Sequence, residues 1–348
     1  MVSVTPARRR TALLKCSLKW GISLAIIAVL FTKTDFRQLT SGLQTNGLNP
    51  TKFSLGFLFC SFSVYLTLVR WKSLLTAFGV AIKTSEVMRI GLLSYALNLL
   101  ALGSLGGDLG RAVLISKQQP GKREAVALSV AADRVIGLYA MIVLAFVLMA
   151  AEGLFTTDSI TIRTIAWLSL AGTLLLPTGY AAARLTTTLS AKIQVRRCRF
   201  RTLQRIADIF DSRRDSITTK VLLQAFRTSL ILRLTTAVGI WFFGTALISD
   251  APGLRIHILA ASIALLTGCL PLPLNGLGAF ESMLEFSFQI FPDTPCPPGY
   301  GIAVALLYRM FLLTTGVIGI LIYNLPRRER TAAARASISP QWDSVVVT

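Results

Sequence analysis

Charged side chains lie inside stretches of this sequence that are otherwise apolar enough and long enough to cross a membrane. A charge near the middle of a bilayer costs roughly 2.5 to 3.5 kcal/mol even on the lenient insertion scale, so each one needs a partner or a polar cavity. The sequence therefore predicts a functional site within the membrane. The charges concerned are Asp133 and Arg134 in 125–150, Arg233 in 221–248, Arg309 in 301–324, and Glu281 and Glu285 after a glycine-rich break.

Composition supports an all-α polytopic membrane protein, because 53% apolar residues and a mean hydropathy of +0.63 over 348 residues exceed what a soluble domain carries. The net charge of +20 alternates with apolar stretches, which indicates membrane orientation and not nucleic-acid binding. The five cysteines are scattered without a CxxC pair, so we expect no zinc site, disulfide framework or cofactor.

Six stretches are predicted to be full transmembrane helices. Two further apolar regions, 87–110 and 254–290, are broken by Gly, Pro, Asn or Ser and are interpreted as re-entrant hairpins or pairs of short helices. With hairpins that return to their own side, most Lys and Arg fall on one side, and both termini are predicted to be cytoplasmic. The six predicted spans are 20–32, 53–69, 125–150, 164–183, 221–248 and 301–324.

The order span, broken hairpin, span occurs twice, over 53–150 and 221–324. We interpret it as an inverted repeat, an arrangement that in transporters places the substrate site near the midplane. The domain division that follows is a basic cytoplasmic N-terminus at 1–19, a transmembrane domain at 20–324 and a cytoplasmic tail at 325–348. Within that domain the basic segment 184–220 is either a helix on the inner leaflet or an ordinary cytoplasmic loop.

The first break supplies five candidate site residues: Asn98, Gly106, Gly107, Asp108 and Arg111. Glycines let the backbone approach a ligand closely, and free N–H groups at a helix start favour an anion such as phosphate. The alternatives are helix packing through small residues for the glycines and an internal ion pair for the two charges.

The second break supplies Asn275, Gly276, Gly278 and Glu281. A helix that begins near Gly278 places Glu281 in its first turn, where the helix dipole favours a carboxylate, so simple capping is one interpretation. The other is a buried group that binds a cationic head group or carries a proton.

Asp133, Arg134 and Arg309 complete the candidate set. The two arginines lie about nine residues into their spans, hence on the order of 13 Å deep from opposite sides. We expect them to pair with Asp133, Asp108 or Glu281, or to hold a lipid phosphate, which the planar guanidinium fork fits.

Four motifs resemble, in order and spacing, the flippase-like transmembrane domain of lysylphosphatidylglycerol synthases and its stand-alone relatives. They are Gly106-Gly-Asp-Leu-Gly-Arg111-Ala, Asp133-Arg134, Pro273-Leu-Asn-Gly276-Leu-Gly-Ala-Phe-Glu281 and Leu307-Tyr-Arg309. The resemblance covers 20–324. The sequence departs from it in having Asp133 where relatives often have Glu, and Pro273-Leu-Asn-Gly276 in place of a Thr-Pro-Gly-Gly run.

The resemblance implies a lipid-binding protein of the bacterial inner membrane that moves a phospholipid between leaflets. Only a short tail follows the last span, so neither the synthase domain nor an enzymatic activity is expected. In this interpretation Arg111, Arg134 and Arg309 hold phosphate, while the acidic residues orient them or meet a cationic head group. The expected partners are phospholipids with anionic or aminoacylated head groups, together with a homo-oligomer or a partner lipid or glycan enzyme.

Alternative functions remain open at this point. They are a non-transporting accessory subunit of a lipid or glycan pathway, a translocator of a polyprenyl-linked sugar, and an intramembrane lipid enzyme. The enzyme is disfavoured because the single His257 has no carboxylate close in sequence and no metal-ligand spacing occurs. No GxxxxGK[ST] loop is present, so any transport is expected to be downhill or ion-coupled.

Overall fold

The computed structural model describes residues 47–100, 104–190, 219–267, 278–291 and 296–325. These residues form nine helices and no strand, as predicted for an all-α membrane protein. The helices are α1 (Pro50–Ala77), α2 (Thr84–Leu100), α3 (Ser104–Gln118), α4 (Arg123–Ala151), α5 (Ile160–Ser190), α6 (Thr219–Leu247), α7 (Leu254–Thr267), α8 (Ala279–Ile290) and α9 (Tyr300–Asn324).

Four described helices, α1, α4, α6 and α9, are long and apolar enough to cross a membrane, and they coincide with four of the predicted spans. The predicted span 164–183 lies within α5, whose apolar part among the described side chains is Ile160–Leu175. Three predicted regions lie outside the described residues: the span 20–32, residues 191–218 of the basic segment 184–220, and the tail after 325.

The helices α1 and α6 pack side by side in opposite directions. At one end the Asn49 N–H, which precedes α1, donates to the Ala246 carbonyl near the end of α6 at 3.1 Å. Toward the other end Arg70 donates to Ser229 Oγ at 2.6 Å. Because α1 and α6 each begin their half of the predicted repeat, this antiparallel pairing gives the two halves opposite directions across the bundle.

The first hairpin, α2–α3, enters from the side of the bundle where α1 ends and α4 begins, here called the first face. Lys122, before α4, donates to the Gly79 carbonyl after α1 at 2.8 Å. Arg89 of α2 donates to the carbonyls of Tyr323 and Leu325 at 2.7 Å each, so α9 ends at the same face. These carbonyls are among those left without helical partners at a helix C-terminus, and an arginine there is favoured by the helix dipole.

The second hairpin, α7–α8, enters from the opposite side, here called the second face, where α4 and α6 end. Arg255 at the start of α7 lies 3.9 Å from the Glu152 carboxylate beyond the end of α4. Glu285 of α8 accepts the Gly299 N–H just before α9 at 2.7 Å, so α9 begins at this face. The two hairpins therefore enter from opposite faces.

Each of several contacts between helices has a counterpart when the halves α1–α4 and α6–α9 are interchanged. The first hairpin packs on the last span of the second half through α2 and α9, and the second hairpin packs on the last span of the first half through α7 and α4. Likewise α1 contacts α4, and α6 contacts α9. This correspondence between the contacts of the two halves is what an inverted repeat produces.

Two predicted boundaries are wrong, and both corrections bring a charge into the bundle. The helix α3 continues past Gly110 to Gln118, so Arg111 lies in mid-helix and not at the start of a loop. Residues 111–118 contain no helix breaker, and the helix ends just before Pro120 and Gly121. The helix α1 continues past 69 to Ala77, which places Arg70 inside a helix long and apolar enough to cross a membrane.

The buried apolar side chains form one main cluster and two smaller ones. The main cluster joins α1, α6, α7, α8 and α9 and includes Phe243, Leu284 and Tyr300. A second lies toward the first face around Trp71 and Ile115, and a third packs α4 and α5 against α7. The buried charges described next lie among these apolar layers.

Candidate functional site

A buried carboxylate, Asp133 of α4, lies between two arginines from different helices. It accepts hydrogen bonds from Arg70 Nε of α1 at 2.8 Å and from an Arg111 terminal nitrogen of α3 at 3.1 Å. All three side chains are at most 5% exposed. Bonds between ionised groups are roughly twice as strong as neutral ones, and here they join α1, α3 and α4.

A second carboxylate, Asp108 of α3, extends this network to the edge of the bundle. One of its oxygens lies 2.8 Å from the Arg111 guanidinium, and the other accepts a hydrogen bond from Arg134 Nε. We call Arg70, Asp108, Arg111, Asp133 and Arg134 the first cluster. With three guanidiniums and two carboxylates, it carries a net charge of +1.

Neighbouring side chains hold the arginines of the first cluster in place. Ser229 of α6 accepts from Arg70, and the Arg111 guanidinium lies over the Trp71 ring at 4.5 Å from its centroid. Such cation–π contacts contribute about 2 kcal/mol when they are desolvated. The Arg111 guanidinium is thus fixed by two carboxylates and one aromatic face.

The first cluster lies at membrane depth. Arg111 is in the middle of α3, roughly 10 Å along the helix axis from the first face, and Asp133 lies roughly 15 Å into α4 at the helical rise. Charges at such positions are costly unless they are paired, and here they pair with one another.

Exposure increases across the first cluster from Asp133 to Arg134. The Arg134 side chain is 32% exposed and that of Asp108 12%, against 4% for Asp133. On the same two helices, the apolar side chains that face outward include Leu109, Val113, Val135 and Leu138. The accessible edge of the cluster therefore lies beside surfaces suited to lipid chains.

Two buried donors in this region have no hydrogen-bond partner among the described residues. They are Arg111 Nε and Trp71 Nε1. Buried polar groups are nearly always paired with protein, water or an ion, so an orphan donor needs a specific explanation. Arg111, already bound to two carboxylates, keeps one donor that an additional acceptor could fill.

The glycines of the first hairpin serve close packing of α2 on α3. The Gly107 N–H donates to Asn98 Oδ1 at 2.8 Å, which pairs these two candidate residues with each other. A Cβ at Gly107 would lie 2.6 Å from Asn98 Oδ1 and would also collide with the Ser94 carbonyl oxygen. Gly106 is buried beside it. Packing, one of the two predicted interpretations, thus describes these contacts.

The second hairpin carries a buried ion pair, which we call the second cluster. Glu281 Oε1 accepts from Arg309 Nε of α9 at 2.7 Å, and Glu281 Oε2 accepts the Gly278 N–H at 2.6 Å. The carboxylate thus caps α8, which is one of the two interpretations of Glu281, and it also pairs with Arg309, which is one of the expectations for that arginine. Asn275 and Gly276 lie outside the described residues.

Glu285 has a structural role at the second face. Its oxygens accept the Gly299 N–H at 2.7 Å and the Ile302 N–H at 3.2 Å, at the beginning of α9. These N–H groups have no partners within the helix, and the helix dipole favours a carboxylate there. Glu285 therefore connects α8 to α9.

His257 is a buried packing residue. It is fully buried, its Nε2 lies 2.9 Å from the Tyr300 hydroxyl, and its ring packs edge-on against Phe288. In the part of the chain that the structure describes, no group of three or more His, Cys, Asp or Glu could hold a metal ion.

Three polar residues lie between the two clusters. Tyr95 is within electrostatic range of Arg111 and Arg233, and Tyr308 is within range of Arg233 and Arg309. Tyr95 also hydrogen-bonds the Thr67 side chain. Arg233 and both tyrosines are half-buried. A discontinuous row of polar groups thus connects the clusters through the bundle.

Sequence reasoning correctly predicted that Arg134 and Arg309 pair with acidic residues of the candidate set, but it missed three members of the site. Arg70 was assigned to the flank of its span, although helical spacing continues without a breaker to Ala77. Ser229 and Trp71 gave no sequence signal, since a serine or tryptophan in a membrane helix is common and their partners are distant in sequence.

Comparison with known proteins gives one family. A family model described as the lysylphosphatidylglycerol synthase TM region matches residues 17–319, which include both clusters and all the candidate site residues. Comparison with curated individual proteins gives no match.

Proposed function

This chain is an integral membrane protein that belongs to the lysylphosphatidylglycerol synthase TM region family, and we propose that it binds a phospholipid head group and moves the lipid between leaflets. The phosphate would bind in the first cluster, at Arg134 and Arg111. The observation that carries the proposal is the net positive charge of this buried cluster, together with its accessible edge at Arg134.

The chemistry of the first cluster fits a phosphodiester. A guanidinium presents planar paired donors that match two phosphate oxygens, and charge-assisted bonds of this kind are the stronger class. A phosphodiester carries one negative charge, which would bring the net charge of the cluster from +1 to zero. The outward apolar side chains of α3 and α4 offer a surface for the acyl chains while the head group is bound.

The positions of the two clusters support a route across the membrane. The first cluster lies roughly 10 to 15 Å from the first face, and Arg309 lies roughly 13 Å from the second face at the helical rise. A head group that leaves the first cluster would pass Tyr95, Arg233 and Tyr308 before it reaches Arg309. Broken hairpins that meet spans of the opposite repeat are where transporters bind substrate.

Charge distribution supports an orientation with the first face in the cytoplasm, and we propose the bacterial inner membrane as the location, with both termini on the cytoplasmic side. Basic residues dominate the helix ends at the first face, whereas acidic residues at least balance them at the second. The basic residues at the first face include Lys72, Lys83, Arg89, Lys117, Lys122, Arg123 and Lys220, and the second face has Lys52, Arg163 and Arg255 with Glu152, Asp158 and Asp250.

Reconstitution tests the proposal. The purified full chain is placed in vesicles with fluorescent phosphatidylglycerol, and exchange between leaflets is followed by adding a quencher that reaches only the outer leaflet. We expect faster exchange than in protein-free vesicles and a loss of at least tenfold of the added rate in Arg134→Gln. The control is Arg255→Gln, which removes an exposed arginine at the second face and should leave the rate unchanged.

The outcomes separate the alternative functions. Thermal unfolding of Arg134→Gln is measured in parallel, because a partly exposed arginine can be replaced without loss of the fold. If exchange is absent for phosphatidylglycerol, phosphatidylethanolamine and an aminoacylated lipid, translocation of phospholipid is wrong, and an accessory subunit or a carrier of lipid-linked sugars takes its place. A chemically altered lipid would instead identify an enzyme.

A further inference from the structure

We infer that Asp108 is an exchangeable counter-ion, which a lipid phosphate displaces from Arg134 and Arg111, whereas Asp133 remains in place. The inference rests on the proposed head-group site and assigns the two aspartates of the first cluster different roles. Asp108 would then determine which head groups bind.

The contacts of Asp108 resemble those of a bound phosphodiester. Each of its two oxygens meets a different guanidinium, Oδ1 that of Arg111 and Oδ2 that of Arg134. The two non-bridging oxygens of a phosphodiester can take the same two positions. Asp108 therefore occupies the place where an anionic ligand is best held.

The contacts of Asp133 are different, because they connect three helices, whereas those of Asp108 connect two. It bonds Arg70 of α1 and Arg111 of α3 from α4, and it is 4% exposed. Removing one partner of a buried pair leaves an uncompensated charge and is strongly destabilising. A ligand that displaced Asp133 would have to overcome this cost, so Asp133 belongs to the framework.

Displacement of Asp108 leaves no arginine without a counter-charge. Arg111 keeps its bond to Asp133, and its Nε, which is buried without a partner among the described residues, gives the phosphate a further donor. Arg134 at the accessible edge exchanges one anion for another. The side chain of Asp108 is itself more exposed than that of Asp133, so its carboxylate moves toward the open edge.

The displaced carboxylate would lie next to the bound head group and would need a new partner. A head group that carries an ammonium provides one, whereas phosphatidylglycerol leaves the carboxylate beside its phosphate. Like charges at close range disfavour binding. Asp108 is thus expected to weaken binding of head groups without an ammonium more than those with one.

The test compares lipid binding by the full chain and by Asp108→Asn in detergent, using short-chain phosphatidylglycerol and short-chain phosphatidylethanolamine as probes in calorimetric titrations. Glycerophosphoglycerol, the head group without acyl chains, separates recognition of the phosphate from binding of the tails. We expect Asp108→Asn to bind phosphatidylglycerol and its head group about tenfold more tightly, which is 1.4 kcal/mol. Phosphatidylethanolamine should gain less, so the affinity ratio of the two lipids shifts.

Two variants control for charge and for folding. Asp158→Asn removes an exposed acid at the second face and should change neither affinity. Asp133→Asn should lower the unfolding temperature strongly, whereas Asp108→Asn should lower it by much less. The conservative change Asp108→Glu, which keeps the counter-charge, should restore weak binding of phosphatidylglycerol.

The inference is overturned if Asp108→Asn weakens binding of phosphatidylglycerol, or if it unfolds as readily as Asp133→Asn, since Asp108 is then a fixed structural partner. It is also overturned if neither protein binds either lipid. If Asp108→Asn binds more tightly but neither protein exchanges lipid in vesicles, the counter-ion role stands and the proposed translocation fails.

Discussion

The two clusters of buried charge occupy related places in the two halves, but the residues that align between them carry charges of opposite sign. An ungapped alignment of the hairpins pairs Arg111 with Glu281. Each of them binds an opposite charge on the span that follows its own hairpin, Arg111 with Asp133 and Glu281 with Arg309. The position of the ion pair is thus shared by the halves, while its polarity is reversed.

The clusters also differ in what surrounds the pair. The first cluster adds Arg70, Asp108 and Arg134 and gains a net charge of +1. In the second cluster the described contacts of Glu281 are Arg309 and a backbone N–H at Gly278, the residue that aligns with Asp108. The comparison teaches that a repeat can keep a buried ion pair in both halves while the side chains around that pair diverge.

The largest effect is expected where the first cluster holds three helices together. Asp133→Asn removes the charge that Arg70 and Arg111 share and should lower the free energy of unfolding by about 3 to 5 kcal/mol. Unfolding of the purified protein in detergent measures it. The control Glu152→Gln, in an exposed pair with Arg255, should cost less than about 1 kcal/mol. Equal losses in the two variants would contradict a framework role for Asp133.

The reversed polarity itself can be tested in the second cluster by exchanging its two charges. Glu281→Arg and Arg309→Glu should each cost about 3 kcal/mol, because each places like charges together in a buried site. The double variant should recover most of this loss and remain about 1 kcal/mol less stable than the natural chain, since arginine cannot accept the Gly278 N–H.

A double-mutant cycle on the same unfolding measurement gives the coupling energy between positions 281 and 309. If the double variant is no more stable than the single variants, the neighbouring groups determine which of positions 281 and 309 carries the negative charge. The pairing would then be no evidence of interchangeable halves.

A smaller effect is expected from the close approach of α2 and α3, which positions Asp108 and Arg111. Gly107→Ala should cost about 1 to 3 kcal/mol, because the added methyl group meets backbone and side chain of α2 that cannot easily move. Gly253→Ala is the matched control, since no heavy atom lies within 4 Å of its Cβ position. If both variants unfold alike, tight packing of the first hairpin is not what positions the first cluster.

Sequence reasoning was accurate where length and apolarity decide the structure. The described spans and the two broken regions were predicted because a bilayer imposes a minimum length and glycine or proline interrupts a helix. The acidic partners of Arg134 and Arg309 were predicted as a set, since a charge at that depth requires an opposite one.

Sequence reasoning failed at Arg70, because the prediction for this residue depended on where α1 ends. Ending the predicted span at 69 left Arg70 outside it, although the helix continues for about two more turns to Ala77. Local sequence does not distinguish an arginine that reaches back to water from one that meets a carboxylate on a neighbouring helix. That distinction required the position of Asp133, 63 residues away.

By itself the sequence determined that this chain is a bundle of membrane helices with two interrupted hairpins and buried charges that must be neutralised, because transfer free energies act on each residue locally. Only the tertiary structure decided which charges meet. Arg70, Arg111 and Asp133 come together from α1, α3 and α4, and Arg134 lies at the accessible edge of the same cluster. Pairing energies depend on distances between side chains, and only the packed helices fix those distances.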